Sequence, residues 1–255
     1  MLVFKLLLTP FLVGLVSLAG RRWGPVVSGW LVGLPLTSGP VALFLALELG
    51  NTFASNAAQG TLTGLISLAA FCLTYSWLSF RVNWLGCILL SWAVFFVVTF
   101  VLQNIVIPLF VAFIIVLCCL AFTLKLLPDN SSHVATVKPA HWDTPLRMIV
   151  ATAFVLALTG FASLLGPRLS GLLATFPIYA TILAVFTHHA QGPASARRLL
   201  RGLITGVFSF AVFFLVIAAL VVPLGVAVAF SLATLLALSL HGTSLYLLRR
   251  YMLSA

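Results

Sequence analysis

The chain has almost no acid. Of its 255 residues only three are acidic, Glu48, Asp129 and Asp143, and charged residues of both signs make up 6%. Soluble domains carry roughly 25% charged residues, so a water-soluble globule is excluded at the outset. The four cysteines, Cys72, Cys87, Cys118 and Cys119, lie inside apolar runs, with no CxxC pair and no His/Cys cluster. That pattern fits buried structural thiols and implies no metal, no redox centre and no cofactor. Ser28, Ser170 and the histidines show no nucleophile–base arrangement, which makes an enzyme the least favoured class.

What the sequence has instead is apolar length. It is 63% hydrophobic with a mean hydropathy of +1.25, and its apolar runs repeatedly exceed the roughly 20 residues that cross a bilayer. Glycine, proline and charge divide these runs into nine predicted spans: 2–19, 24–49, 60–80, 83–103, 105–127, 147–165, 167–189, 202–222 and 224–247. The expected fold is therefore an all-α polytopic membrane protein with about nine transmembrane helices. Residues 1–20, with Lys5 and a Ser17-Leu18-Ala19-Gly20 end, look like a signal peptide. They are read here as a retained helix, because the repeat described below has an equivalent segment at 147–165. The polar stretch 128–146 reads as a linker between a first half, 1–127, and a second half, 147–255.

The net charge of +10 is no nucleic-acid signal, because the Lys and Arg residues sit in short loops between apolar runs. With nine spans, one side collects Arg21, Arg22, Arg81, Lys125, Lys138, Arg147, Arg197, Arg198, Arg201, Arg249 and Arg250. The other side keeps only Lys5 and Arg168. By the positive-inside rule the N-terminus lies outside and the C-terminus in the cytoplasm of a bacterial inner membrane.

A shift of 142 residues lays Gly24-Pro25-x-x-Ser28-Gly29-x-Leu31 on Gly166-Pro167-x-x-Ser170-Gly171-x-Leu173. In the same register Pro35 meets Pro177, Gly50 meets Gly192, Gly60 meets Gly202, Thr63-Gly64 meets Thr205-Gly206 and Ser67 meets Ser209. From Gly24 to Phe71, 16 of 48 positions agree without a gap, where this composition gives about a tenth by chance. Five predicted spans separate the two starts, so the second copy enters the membrane from the opposite side. The expectation is an inverted-topology repeat of five plus four helices.

The second helix of each half carries the candidate site. Pro35 and Pro177 each fall about 11 residues into a span, near the midplane at about 1.5 Å per residue. Proline removes a backbone donor and clashes with the preceding turn, and hydrocarbon tolerates that only where protein or a wet cavity satisfies the freed groups. Interrupted helices at matching places in two inverted halves point to a midplane substrate site; a packing kink is the alternative. The candidate substrate-binding residues are Ser28, Pro35, Thr37, Ser38, Ser170, Thr175, Pro177 and Tyr179. Glu48, the only carboxylate inside a predicted span, and the pair His188 and His189 are candidates for ion coupling, with an interfacial position as the plain alternative. His241, beside Gly242 and Thr243 in the last apolar run, reads as a hydrogen-bonded packing residue. The segments 50–60 and 192–202 read as short surface helices or gates.

This architecture resembles the inverted-repeat carriers that include bile-acid sodium symporters and cation–proton antiporters, and more broadly duplicated bacterial inner-membrane proteins. The resemblance implies two interrupted helices crossing at the centre. The chain departs from those carriers in having no acidic pair and no clear sodium site. Three functions follow as expectations. The first is a secondary transporter of a small organic solute, anionic or neutral. The second is a flippase for a lipid or lipid-linked intermediate, with a lateral opening lined by Trp23, Trp30, Phe44 and Phe71. The third is a non-transporting membrane subunit that holds a partner. The expected partners are the lipid bilayer, a small-molecule or lipid substrate and further copies of the chain, with no nucleic acid.

Overall fold

The computed structural model describes residues 7, 10, 11, 22, 23, 26–36, 38–127 and 143–252. Among these residues every regular element is a helix. Helix α1 covers 26–32, followed by α2 (Ser38–Leu49), α3 (Asn51–Leu78), α4 (Trp84–Gln103), α5 (Leu109–Leu126), α6 (Asp143–Ala174), α7 (Ile178–Gln191) and α8 (Pro193–Met252). The predicted span 2–19 and most of the linker lie outside the described residues. The end of that linker is corrected: from Asp143 onward it is the first turn of α6.

Five stretches are long and apolar enough to cross a membrane: Asn51–Leu78, Trp84–Gln103, Leu109–Leu126, Met148–His189 and Pro193–Ser244. The chain is built as a membrane protein. Leu89, Val97 and Phe100 on α4 and Phe110, Ile114 and Phe122 on α5 stand exposed. In water such a face costs about 25 cal/mol for each Å² left unburied, whereas lipid tails receive it at no such cost.

The last two of these stretches are jointed by single glycines. Helix α6 bends at Gly166 (φ 74, ψ 166) and α8 at Gly225 (φ 75, ψ 171). Gly50 (φ 90, ψ 167) joins α2 to α3, and Gly192 (φ 84, ψ 174) joins α7 to α8. This backbone region is essentially reserved for glycine. Pro167 and Pro193 reinforce two of the joints, since proline holds the residue before it extended and is well placed in the first turn of the following helix.

The joints correct one expectation. The segments 50–60 and 192–202 are not separate surface helices. They are the opening turns of α3 and α8, with Ala54, Ala57, Ala196 and Leu199 buried. Gly60 and Gly202, read from sequence as breaks, are contact points inside continuous helices.

Those contacts follow one pattern. Gly29 leaves no room for a Cβ against the Leu199 carbonyl, and Gly171 leaves none against the Ala57 carbonyl. Gly60 lies on the carbonyl of Arg168, and Gly202 on that of Val26. Gly64 approaches Leu172 and Thr175, while Gly206 approaches Trp30 and Gly33. Each contact maps onto its partner when 142 is added to one residue and subtracted from the other. Small residues let helix backbones approach closely in lipid, where packing replaces the hydrophobic drive. They seat α3 against the second limb of α6 (167–174), and the first limb of α8 (193–224) against α1.

The same offset extends beyond Phe71. Helix α4 buries Ile88 and Leu102 and, in a seam at four-residue spacing, Cys87, Ser91, Phe95 and Thr99, while the second limb of α8 (226–252) buries Ala229, Ala233, Ala237 and His241 at the positions equivalent to the last four. These four pairs are again 142 apart, although none of them is an identity.

Candidate functional site

The two proline breaks have the same hydrogen-bond wiring. At the first, Gly33 N–H donates to the Trp30 carbonyl (3.0 Å), Leu34 N–H to Leu31, Leu36 N–H to Leu34 (2.8 Å) and Gly39 N–H to Pro35 (2.8 Å). At the second, Thr175 N–H donates to Leu172 (3.3 Å), Phe176 N–H to Leu173, Ile178 N–H to Phe176 (2.8 Å) and Thr181 N–H to Pro177 (2.8 Å). In each, the helix tightens to an i→i+3 turn, passes through a γ-turn centred on proline, and restarts. Pro177 has φ −80 and ψ 54, the inverse γ-turn geometry. Proline dictates this, because it has no N–H to continue the ladder and its ring crowds the preceding turn.

The breaks meet. Ser38 is buried, and its hydroxyl donates to the Ala174 carbonyl at 3.0 Å. That carbonyl loses its ordinary helical donor, since Ile178 N–H turns to Phe176 instead. Tyr179, just past the second break, packs against Val32, just before the first. Thr175 donates to Leu172 (2.7 Å) and lies 3.2 Å from the Gly64 carbonyl, which ties the second break to α3.

Each break has its own wall. Beside the second, Phe176 packs among Trp92, Phe95, Phe96 and Phe154 at centroid distances of 5.4–6.2 Å, and Trp92 Nε1 donates to Thr181 (3.1 Å). Beside the first, Trp30 stacks on His241 at 3.8 Å and 19°, and its Nε1 donates to Ser244 (2.8 Å). The Ser209 hydroxyl donates to Gly206 (2.7 Å), and its oxygen lies 2.8 Å from His241 Nδ1. The direction of the Ser209–His241 bond follows the imidazole tautomer. Nε2 is buried without a hydrogen-bond partner among the described residues. The position equivalent to His241 is Thr99, which donates to Ser67 at 2.9 Å. The two buried pairs, Thr99–Ser67 and His241–Ser209, occupy matching places.

Of the residues singled out from sequence, Pro35, Ser38, Thr175, Pro177 and Tyr179 come together at the meeting of the breaks. Thr37 lies outside the described residues. Ser28 is half-buried on α1. Ser170 is occupied elsewhere, its hydroxyl donating to Ala162 (3.3 Å) across the Gly166 joint. The coupling candidates do not join them. Glu48 is exposed at the end of α2, and His188 and His189 close α7, each about 15 Å along its helix from the break. His188 Nδ1 faces the Tyr75 hydroxyl at 3.3 Å, and His189 is exposed.

His241 is hydrogen-bonded and packed, as its sequence setting suggested, whereas Ser209, Ser67 and Thr99 were given no site role from sequence. The signal that reaches them is the 142 offset, carried past the last identity. No family model matches this chain, and neither does any curated protein or solved structure.

Proposed function

We propose that the chain is a secondary transporter of a small organic solute, anionic or neutral, working by alternating access in a bacterial inner membrane. Its nine spans divide five plus four, with the N-terminus outside, and the second half is an inverted copy of the first. The exchanged glycine contacts support this arrangement, because contacts that swap partners at one fixed offset are what a two-fold axis between halves produces. Five intervening spans put that axis in the membrane plane.

One observation carries the transport reading. Two helices are interrupted at equivalent prolines with the same hydrogen-bond pattern, and Ser38 binds one break to the other through Ala174. Non-helical backbone at membrane depth is tolerated where protein buries it or where it lines a cavity, and paired breaks are where carriers hold substrate. His241 adds an ionisable side chain beside the first break, and buried ionisable groups in a membrane are expensive enough to mark function. The lipid-flippase reading loses its expected opening, since Trp30, Phe44 and Phe71 are buried and only Trp23 of that set is exposed.

The test is flux into proteoliposomes, with radiolabelled succinate, glycerol 3-phosphate and glycerol as probes. The reading predicts uptake of at least one probe above empty liposomes, reduced roughly tenfold by Thr175→Val, a loss of about 1.4 kcal/mol. Flux equal to that of empty liposomes for every probe contradicts it.

A further inference from the structure

Away from the breaks, a cavity of about 210 Å³ opens where α3, the connection between α4 and α5, and the start of the second limb of α6 meet. Its polar lining is Asn56, Gln59, Thr63 and Arg168, and no carboxylate contributes. Arg168 Nη2 donates to the Leu102 carbonyl (2.9 Å), and Gln59 Nε2 donates to the Ile107 carbonyl (2.6 Å). The first bond fixes the guanidinium in place while leaving Nε and Nη1 free of hydrogen-bond partners among the described residues. The Thr63 hydroxyl donates to its own helix at Gly60 (2.9 Å), so the donors left for a ligand are the guanidinium and the amides. Such a fork, facing no acid, is shaped for a carboxylate or phosphate. The volume lies below the roughly 300–1,000 Å³ of drug-sized pockets, which suits a small headgroup.

We propose that this cavity receives the anionic group, carboxylate or phosphate, of the substrate, with Arg168 as the residue that binds it. The proposal rests on the transporter reading and sharpens its substrate from anionic or neutral to anionic. The equivalent positions in the other half point the same way. Asn56, Gln59 and Thr63 correspond to Arg198, Arg201 and Thr205, and Gly202 packs on Val26 as Gly60 packs on Arg168. Arginines therefore occupy two of the equivalent positions in the other half, while the position of Arg168 itself is taken by Val26.

The experiment measures binding to the purified protein by thermal shift and tryptophan fluorescence. Succinate and glycerol 3-phosphate are the probes, with 1,4-butanediol and glycerol as uncharged counterparts. The protein is compared as wild type, Arg168→Gln and Asn56→Asp. The Asn56→Asp variant places a carboxylate in the cavity and leaves the Arg168–Leu102 bond untouched, so it serves even if Arg168→Gln does not fold. A parallel arm compares nanodiscs of phosphatidylglycerol and phosphatidylcholine, to separate a lipid headgroup from a free solute. The expected result is binding of an anionic probe, or stabilisation by phosphatidylglycerol alone, that weakens roughly tenfold in both variants. Equal binding by wild type and both variants, equal binding of charged and uncharged probes, or no anion effect in either arm overturns the proposal. Arg168-dependent binding without flux removes the transporter reading and keeps the site. Flux that ignores Arg168 and probe charge does the reverse.

Discussion

The Ser38 hydroxyl bonds the Ala174 carbonyl across 136 residues of sequence, joining the start of one restarted helix to the end of the other interrupted one. The position equivalent to Ser38 in the second half is Ala180, which has no hydroxyl to offer. The two breaks are therefore wired alike along the backbone, but the Ser38 tie between them has no counterpart from the second half.

Ser38→Ala removes that tie and leaves a buried carbonyl without its donor. The expected cost is about 1–3 kcal/mol, read as a lower midpoint in thermal unfolding of the detergent-solubilised protein. An unchanged midpoint counts against the bond's importance at the crossing.

The glycine contacts predict matched sensitivities. Gly29→Ala and Gly171→Ala each push a methyl into a facing backbone carbonyl, and backbone cannot move aside as a side-chain tip can. Each is expected to destabilise by about 1–3 kcal/mol or more, the usual range for overpacking. Gly160→Ala, at a helical position with nothing within 4 Å, is expected to gain about 0.5–1 kcal/mol. Unfolding midpoints of the three variants check this, and a harmless Gly29→Ala paired with a harmful Gly160→Ala contradicts the packing described.

Ser209 and His241 are expected to be energetically coupled. Ser209→Ala removes the hydroxyl that faces Nδ1 of the buried imidazole, at about 1–3 kcal/mol, while His241→Phe keeps an aromatic ring for Trp30 to stack on. A double-mutant cycle should show the serine costing less once the histidine is gone, with a coupling of about 0.5–3 kcal/mol. Strict additivity of the two substitutions argues against the bond.

Much of the plan was legible in the sequence, because it depends on residue types with only one use. Apolar length required a bilayer, and Pro35 and Pro177 required breaks, since proline cannot continue a helix. Gly60 and Gly202 were misread for the opposite reason. Glycine ends a helix in one setting and in lipid seats one helix on another, and only the facing Arg168 and Val26 carbonyls show which applies. The α4 seam was hidden because packing conserves burial and spacing rather than identity: Phe95 and Ala237 fill equivalent places with different side chains. Glu48, His188 and His189 were selected for their chemistry alone, and helix length sets them far from the breaks. His241 was legible as a hydrogen-bonded packing residue, but its partners, Ser209 and Trp30, were not.

The central claim is that two copies of one unit face opposite sides of the membrane. Thr52 and Ala194 are equivalent positions, each in the first turn of its helix after a glycine joint. The direct test introduces a cysteine at each, singly, with the four native cysteines replaced by alanine, and labels with a membrane-impermeant maleimide. The account predicts that Thr52→Cys reacts in intact cells and Ala194→Cys only in inverted membrane vesicles. Labelling of both from the same side would contradict it.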